Sequence, residues 1–302
     1  MSDHNHLGMN QGQKESIRAD LFGEDKVRCH YEERGAVALL TIEDDGLNGY
    51  SFKMFRDIDE AILKARFNSD IEAIVITGAG EHFCAGANIN MLEAADATSK
   101  YYFCLHANET LLRLEHTPKL VICAINGHCV GGGFEIALAC DLRIARRGGG
   151  RVGLPEVNLG VLPGTGGTQR LSKLIGPSKA MSMMVKGETY ETERALEHEL
   201  VHELLGETEQ REVKGRMREV PTLSRDAFID QVVAFAQAQC SPKRAGMAVG
   251  HIKRAVNTGS ALPLESGLAI ERELQAKLFA SADAAEGMSA FVEKRSPKFS
   301  GR

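Results

Sequence analysis

Short apolar runs alternate with amphipathic segments along the first half of the chain. Four of these runs have strand length and are rich in β-branched residues: residues 36–42, 73–77, 121–125 and 142–145. Between the first three runs, residues 52–66 and 99–115 carry apolar side chains at helical spacing. Strands that alternate with helices are typical of an α/β fold.

Helix candidates dominate the second half of the chain. From about residue 165 the strand signal fades, and five amphipathic segments follow: residues 168–175, 177–185, 191–198, 224–238 and 264–280. We therefore predict three parts. Residues 1–26 are a polar N-terminal tail that we expect to be flexible, residues 27–222 an α/β core, and residues 223–302 a helical C-terminal region.

Charge and composition narrow the classes of partner. The chain has 302 residues and a formal net charge of −5, with Lys+Arg 36 against Asp+Glu 41 and no long basic run. This balance disfavours a nucleic-acid groove or a polybasic membrane anchor. The apolar runs are also far shorter than a membrane span requires. We predict neither a nucleic-acid nor a membrane partner.

The cysteines indicate a reducing compartment. There are seven, an odd number, and none forms a CxxC pair; Cys123, for example, lies inside an apolar run. The N-terminus has neither the apolar stretch of a signal peptide nor the pattern of a transit peptide. We therefore predict a reduced, cytoplasmic protein.

A run of three glycines is the first candidate for chemistry. Gly131, Gly132 and Gly133 follow a short apolar segment and lead into residues 134–140, a helix-like stretch. A strand, a glycine turn and a helix start leave backbone N–H groups pointing at a pocket, an arrangement that suits an anion. A tight turn that packs a buried helix would have the same sequence, so both readings are open.

Two glutamates lie in apolar surroundings. Glu135 is in the first turn of the apolar stretch, and Glu156 lies in an apolar loop bounded by prolines. Buried carboxyls that repel each other have raised pKa values, which suits general acid and base work. Alternatively, each glutamate pairs with an arginine or caps a helix, and the spacing alone does not choose.

Four segments, residues 82–91, 125–137, 154–171 and 286–295, closely resemble the crotonase (enoyl-CoA hydratase/isomerase) superfamily. They occur in the family's order and with similar spacing from about residue 36 to 300. The resemblance implies a crotonase-like α/β spiral of repeated ββα units. It also implies that the C-terminal helices form a trimerisation region.

The resemblance also implies a mechanism, the addition of water across the double bond of a 2-enoyl-CoA. The backbone N–H groups of Ala87 and Gly132 would form an oxyanion hole for the thioester oxygen. Glu135 would activate the water, Glu156 would relay the proton to Cα, and Gly164 would lie in the loop that closes over the water. The acid and base assignments depend on how the two glutamates titrate together.

The resemblance further implies a binding site for coenzyme A, which is part of the substrate, so no separate cofactor and no metal are expected. The CoA-binding positions are Ala85, Asn88, Ile89, Phe291 and Lys294, the last two reaching a neighbouring subunit. The expected partners are an acyl-CoA thioester and further copies of the chain, in a homotrimer or a dimer of trimers.

Three alternatives are weighed against this function. A double-bond isomerase, or a hydratase for cyclic or branched acyl groups, would keep the fold; residues 101–103 are aromatic and are expected to wall the acyl pocket. A zinc peptidase is suggested by the HExxH match at residues 198–202. We expect this segment to leave its helix, so that the two histidines do not keep one-turn geometry.

Overall fold

The computed structural model describes Gly12, Glu15 and residues 26–44, 46–213 and 215–301. Nearly all of the predicted N-terminal tail lies outside these residues, so its flexibility stays a prediction.

Two sheets form the core. The first sheet has six strands in the order β1-β2-β3-β5-β7-β10, in which β1 is antiparallel to β2 and the other pairs are parallel. Its strands are β1 (Cys29–Arg34), β2 (Val37–Ile42), β3 (Ala73–Gly78), β5 (Leu120–Ile125), β7 (Leu142–Arg146) and β10 (Glu203–Leu205). The second sheet contains β4 (His82–Cys84), β6 (His128–Val130), β8 (Arg151–Gly153) and β9 (Thr189–Glu191), in that order. A separate hairpin consists of β11 (Thr208–Val213) and β12 (Arg216–Pro221).

Eleven helices are described within these ranges. The first six are α1 (Phe52–Phe67), α2 (Ile89–Ala94), α3 (Ala97–His116), α4 (Gly132–Leu138), α5 (Gly167–Ile175) and α6 (Pro177–Lys186). The others are α7 (Thr192–Glu197), α8 (Arg225–Gln237), α9 (Gly246–Gly259), α10 (Leu264–Phe279) and α11 (Ala282–Glu293). Three times, a strand of the first sheet is followed by a strand of the second sheet and then by a helix: β3-β4-α2, β5-β6-α4 and β7-β8-α5. The predicted α/β spiral of ββα units is confirmed.

Strand alternation explains why the first sheet is buried on both faces. Leu39 and Val75 point to one face and pack with α8, whereas Leu40 and Ile76 point to the other and join the main core. A mostly parallel sheet covered on both faces needs apolar residues at successive positions, which is the pattern of the predicted strands.

Both ends of helix α3 are defined by local sequence signals. Asp96 and Ser99 form a capping box at its N-terminus, and its last turn ends at Thr117, just before Pro118. Phe103, Ala107, Leu111 and Leu114 are buried in the main core. The helix therefore presents a fixed face to the glycine-rich segments described below.

The C-terminal helices join the core through a few polar anchors. On α9, Lys253 Nζ lies 2.9 Å from Asp141 Oδ2 and donates to the carbonyls of Leu114 and Lys119. Large apolar side chains of this region are nevertheless exposed, among them Leu264, Phe279, Phe291 and Val292. Among the helices described, none combines the length and the apolar composition that crossing a membrane requires.

Candidate active site

Two glycine turns meet at the carboxyl ends of β4 and β6. The strands are parallel neighbours, with Cys84 opposite Cys129. Gly86 and Gly131 follow them with φ values of +99° and +55°, a region that favours glycine. A Cβ on Gly131 would lie only 3.6 Å from the Cα of Gly86. The sequence thus brings the next residue of each turn, Ala87 and Gly132, side by side.

The backbone N–H groups of Ala87 and Gly132 are available to a ligand. The next N–H group after Ala87, that of Asn88, donates to the carbonyl of Tyr50, and the N–H groups of Phe134 and Glu135 donate to the carbonyl of Gly131. Within the described residues, no acceptor is bonded to the N–H group of Ala87 or to that of Gly132, which opens α4. Two adjacent free donors, one of them at a helix start, can bind a developing oxyanion.

Glu135 is buried at 1% exposure and held by a single loop. Its Oε1 accepts hydrogen bonds of 2.8 Å from the backbone N–H groups of Thr165 and Gly167, and its Oε2 contacts Thr165 Oγ1. Gly167 opens α5, so the carboxylate partly caps that helix, as one of the alternatives proposed. These donors fix the carboxylate and leave it acceptor capacity for a further ligand.

Glu156 faces the same space from a 3₁₀ turn, Glu156–Leu159. Its Oε1 would lie 3.3 Å from a Cβ on Gly131, and its Oε2 is buried without a hydrogen bond to any described residue. Desolvation, and secondly the charge of Glu135, raise the pKa of Glu156 to about 7. This carboxyl can therefore hold and release a proton near neutral pH. In the described part of the chain, neither glutamate forms the ion pair with arginine that the other alternative proposed.

Tyr50 is a site residue that the sequence analysis missed. It forms a parallel bridge with Ala87, and its ring blocks the side of Gly132: a Cβ there would lie 1.7 Å from Tyr50 Cε1. Its ring stacks on Phe103 with centroids 5.3 Å apart. Burial and then the charge of Glu135 raise the pKa of the Tyr50 phenol. Only the non-local pairing of residues 50 and 87 places this ring here, and no local sequence pattern could have indicated it.

Of the three aromatic residues expected to wall the acyl pocket, one faces inward. Phe103 is buried, whereas Tyr101 and Tyr102 are 65% and 47% exposed. The helical period turns adjacent residues about 100° apart, so three in succession cannot share one face. Tyr101 and Tyr102 are exposed in the single chain, and their place in the acyl-pocket wall stays a prediction.

The predicted CoA-binding residues fall into two groups. Ala85, Asn88 and Ile89 flank the oxyanion donor Ala87, and Asn88 Oδ1 accepts from the N–H group of Met91. Gly164 lies in the loop that holds Glu135, and a Cβ on it would lie 3.0 Å from Cys104 Sγ. Phe291 and Lys294 lie at the end of α11, and no contact found among the described residues joins them to the glutamates.

The two histidines of the HExxH match have separate partners. α7 ends at Glu197, and Glu199 has a φ of +62°, so the helix does not run through the motif. The ring of His198 stacks on Tyr190, whereas His202 Nδ1 accepts from the N–H group of Arg143. The expected departure from one-turn geometry is confirmed.

Comparison with known proteins agrees with this geometry. The model of the enoyl-CoA hydratase/isomerase family matches residues 32–243 and 221–302. The short-chain-enoyl-CoA hydratase of Clostridium acetobutylicum is 34% identical over 266 residues, covering 87% of this chain and 94% of that protein. A probable enoyl-CoA hydratase of Mycobacterium bovis is 35% identical over 269 residues, covering 88% and 95%.

Solved structures give the same picture. The enoyl-CoA hydratase of Geobacillus kaustophilus superposes with a TM-score of 0.82 at 38% identity, covering 92% of this chain and 98% of that chain. The enoyl-CoA hydratase of Bacillus anthracis does so with a TM-score of 0.79 at 27% identity, covering 91% of this chain and all of the other.

Proposed function

This chain belongs to the enoyl-CoA hydratase/isomerase family, and we propose that Glu135 and Glu156 are the residues with which it hydrates its substrate. The protein is a hydro-lyase of the enoyl-CoA hydratase type, which adds water across the 2,3 double bond of an enoyl-CoA thioester. The observation that carries the assignment of roles is the pair of carboxyls beside the free N–H groups of Ala87 and Gly132.

The two N–H groups donate hydrogen bonds to the thioester oxygen as it gains negative charge. Such preorganised donors stabilise an enolate by roughly 3–4 kcal/mol for each donor. Because both are backbone groups in fixed glycine turns, they need no rearrangement during the reaction.

The glutamates divide the two proton transfers. Glu135 takes a proton from the water as its oxygen bonds to Cβ, and Glu156 gives a proton to Cα of the enolate. The raised pKa of Glu156 supports this order, since that carboxyl still holds its proton near neutral pH. The proton gained by Glu135 must then reach Glu156, directly or through solvent, before the next turnover.

The alternatives explain less of the site. An isomerase moves one proton between carbons and can work with one base, which leaves the second glutamate without a task. The relatives described above are named hydratases. The acid, the base and the oxyanion donors all belong to this chain, so the hydration requires no resident cofactor; coenzyme A arrives as part of the substrate.

The chain acts as a homotrimer or as a dimer of trimers. The exposed apolar residues of the C-terminal helices support this proposal. Among those described, Phe291 has the highest exposed fraction, 86%. Phe291 and Lys294 complete the CoA site of a neighbouring subunit, while Ala85, Asn88 and Ile89 contribute from the same subunit. The seven unpaired cysteines support a cytoplasmic location.

Hydration of crotonyl-CoA in isotopically labelled water tests this function. We expect the label in the hydroxyl group of the 3-hydroxyacyl product. In Glu156→Gln we expect little labelled product to form. Conversion of a 3-enoyl-CoA to the 2-enoyl isomer, without label and faster than hydration, would instead favour the isomerase.

A further inference from the structure

One face of α3 carries a polar stripe toward the catalytic loop. Lys100, Cys104 and Asn108 are four residues apart and half-buried, whereas the neighbouring face is apolar. Cys104 Sγ would lie 3.0 Å from a Cβ on Gly164, and Asn108 Oδ1 would lie 3.4 Å from a Cβ on Gly166. The stripe therefore runs along the segment that holds Glu135, and Lys100 is its end nearest the start of α3.

The ammonium group of Lys100 stands beside the aromatic residues that border the oxyanion donors. Its Nζ lies 5.0 Å from the ring centroid of Phe103 and 6.0 Å from that of Tyr50, the ring whose edge lies against Gly132. This cation and the oxyanion donor Gly132 therefore have Tyr50 as a common neighbour. Its field also reaches the reacting groups, since it opposes the raised pKa of Glu156 and that of Cys104.

Lys100 differs from the other half-buried or buried lysines in its partners. Lys253 pairs with Asp141, Lys53 pairs with Asp57, and Lys119 donates to two carbonyls. Across the described ranges, the side chain of Lys100 has no ion pair and no hydrogen bond, only its two aromatic neighbours. Its ammonium group, which can donate three hydrogen bonds, therefore keeps donors for a ligand.

An acyl chain bound beside the two glutamates would lie within the field of that charge, which reaches Glu156. An alkyl chain would displace water from the ammonium without replacing the hydrogen bonds to that water, which is unfavourable for an unpaired charge. A carboxylate at the far end of the chain would instead form a charge-assisted hydrogen bond with it.

From these contacts we infer that Lys100 selects enoyl-CoA substrates whose acyl chain ends in a carboxylate. This inference rests on the proposed hydratase function and adds the substrate class to it. Tyr50 and Phe103 form the apolar wall along the double bond, and Lys100 binds the terminal carboxylate.

The test compares two acyl groups of the same shape. Glutaconyl-CoA carries the terminal carboxylate, and its neutral analogue carries an isopropyl group in that place. The measured quantity is the ratio of their kcat/KM values in the wild type, Lys100→Met, Lys100→Gln and Lys100→Arg. Lys64→Met is the matched control, because Lys64 also lies over an aromatic ring, 4.0 Å from the centroid of Tyr31, but on α1.

We expect the wild type to prefer glutaconyl-CoA. In Lys100→Met and Lys100→Gln the ratio should decrease by a factor of about 10 to about 100, which corresponds to the loss of a hydrogen bond to a charged group. It should be largely retained in Lys100→Arg and fully retained in Lys64→Met. Calorimetric binding of unreactive glutaryl-CoA should weaken in the same order.

A kcat/KM ratio that Lys100→Met leaves unchanged would overturn the inference. If both kcat/KM values fall equally while the ratio stays the same, Lys100 acts only through the charge state of Glu156. Crotonyl-CoA separates this failure from failure of the proposed function: if it is hydrated, only the inference is wrong, whereas if no enoyl-CoA is hydrated, the function itself is wrong.

Discussion

Among the single residues, Glu156 combines a proposed catalytic role with a cost in stability. Its pKa is raised from 4.5 to about 7, so the folded protein holds this proton more tightly than the unfolded chain does. As pH rises from about 4.5 to about 7, the unfolded chain ionises first, and the folded state loses relative stability. Above about pH 7 this loss is complete.

This loss of stability on ionisation of Glu156 predicts how Glu156→Gln changes thermal stability. The neutral amide cannot ionise, so the Tm of the variant minus that of the wild type should increase between about pH 4.5 and pH 7. Calorimetric scans at several pH values measure this difference. A Tm deficit of the variant that is the same at every pH would show that Glu156 serves the fold instead.

The ionisation of Glu156 should set the alkaline limb of the pH–activity profile. With one proton shared by the pair, kcat/KM for hydration should fall above about pH 7, about tenfold per pH unit. Dehydration of the hydroxyacyl product should show the same limb, because the overall reaction neither takes up nor releases a proton. Steady-state kinetics in both directions test this; a flat profile from about pH 7 to about pH 9 would contradict the role of Glu156.

At the scale of elements, the loop of residues 163–167 positions Glu135, and Arg170 braces that loop. Its guanidinium donates to Glu115 Oε1 and Oε2 at 2.9 and 2.8 Å and to the carbonyl of Thr165 at 3.0 Å. Thr165 in turn donates to Glu135. Arg170 therefore acts on the chemistry only through the loop, as a positioning residue.

Arg170→Met should lower kcat about tenfold with little change in KM, because small displacements of a reacting group reduce the rate steeply. Arg113→Met is the matched control, because it removes an arginine of α3. This arginine pairs with Asp59 at a distance of 2.8 Å and does not contact Glu135 or Glu156. Steady-state kinetics beside thermal unfolding separate the two roles. Loss of Tm with an unchanged kcat would assign Arg170 to stability alone.

The elements also show what the sequence could predict. The strands of the first sheet follow from their apolar composition, and α1, α3 and α8 follow from their helical periodicity. The hairpin of β11 and β12 was missed because its residues are mostly charged and exposed, so neither strand shows an apolar alternation. Helix α9 lies within the predicted helical C-terminal region, but it was not among the individual segments, and it has glycine at both ends.

Some residues of the candidate site could be predicted from the sequence and others could not. Glu135 was predictable because a carboxylate in an apolar helix is conspicuous in the sequence. The neighbours Tyr50 and Lys100 were not, since Tyr50 follows a glycine turn and Lys100 is one polar residue on a surface helix. Only the pairing of residue 50 with Ala87, and the packing of α3, bring them to the pocket.

At the scale of the whole molecule, the proposed trimer makes each active site depend on two chains. Glu135→Gln should inactivate the site of its own subunit, whereas Lys294→Glu should weaken the CoA site of the neighbour. Each variant alone should be nearly inactive at low substrate concentration. Co-expression of both should restore activity, because some sites then combine an intact glutamate pair with an intact Lys294.

Light scattering checks the assembly, which should have about three or six times the chain mass of 32.8 kDa. Co-expression of Glu135→Gln with Glu156→Gln is the control, since both variants damage the same site and should not complement. A fully active monomer, or no recovery in the mixed assembly, would contradict the shared site.

The most direct test of the account is a double-mutant cycle on Glu135 and Glu156, measured as kcat for crotonyl-CoA hydration. Each Gln variant should lose about 10²–10⁴-fold, the usual contribution of general acid–base catalysis. Because both groups act in one proton relay around one water, the double variant should lose little more than the worse single variant. Losses that multiply, or a Glu156→Gln variant within a few-fold of wild type, would contradict the two-carboxylate mechanism.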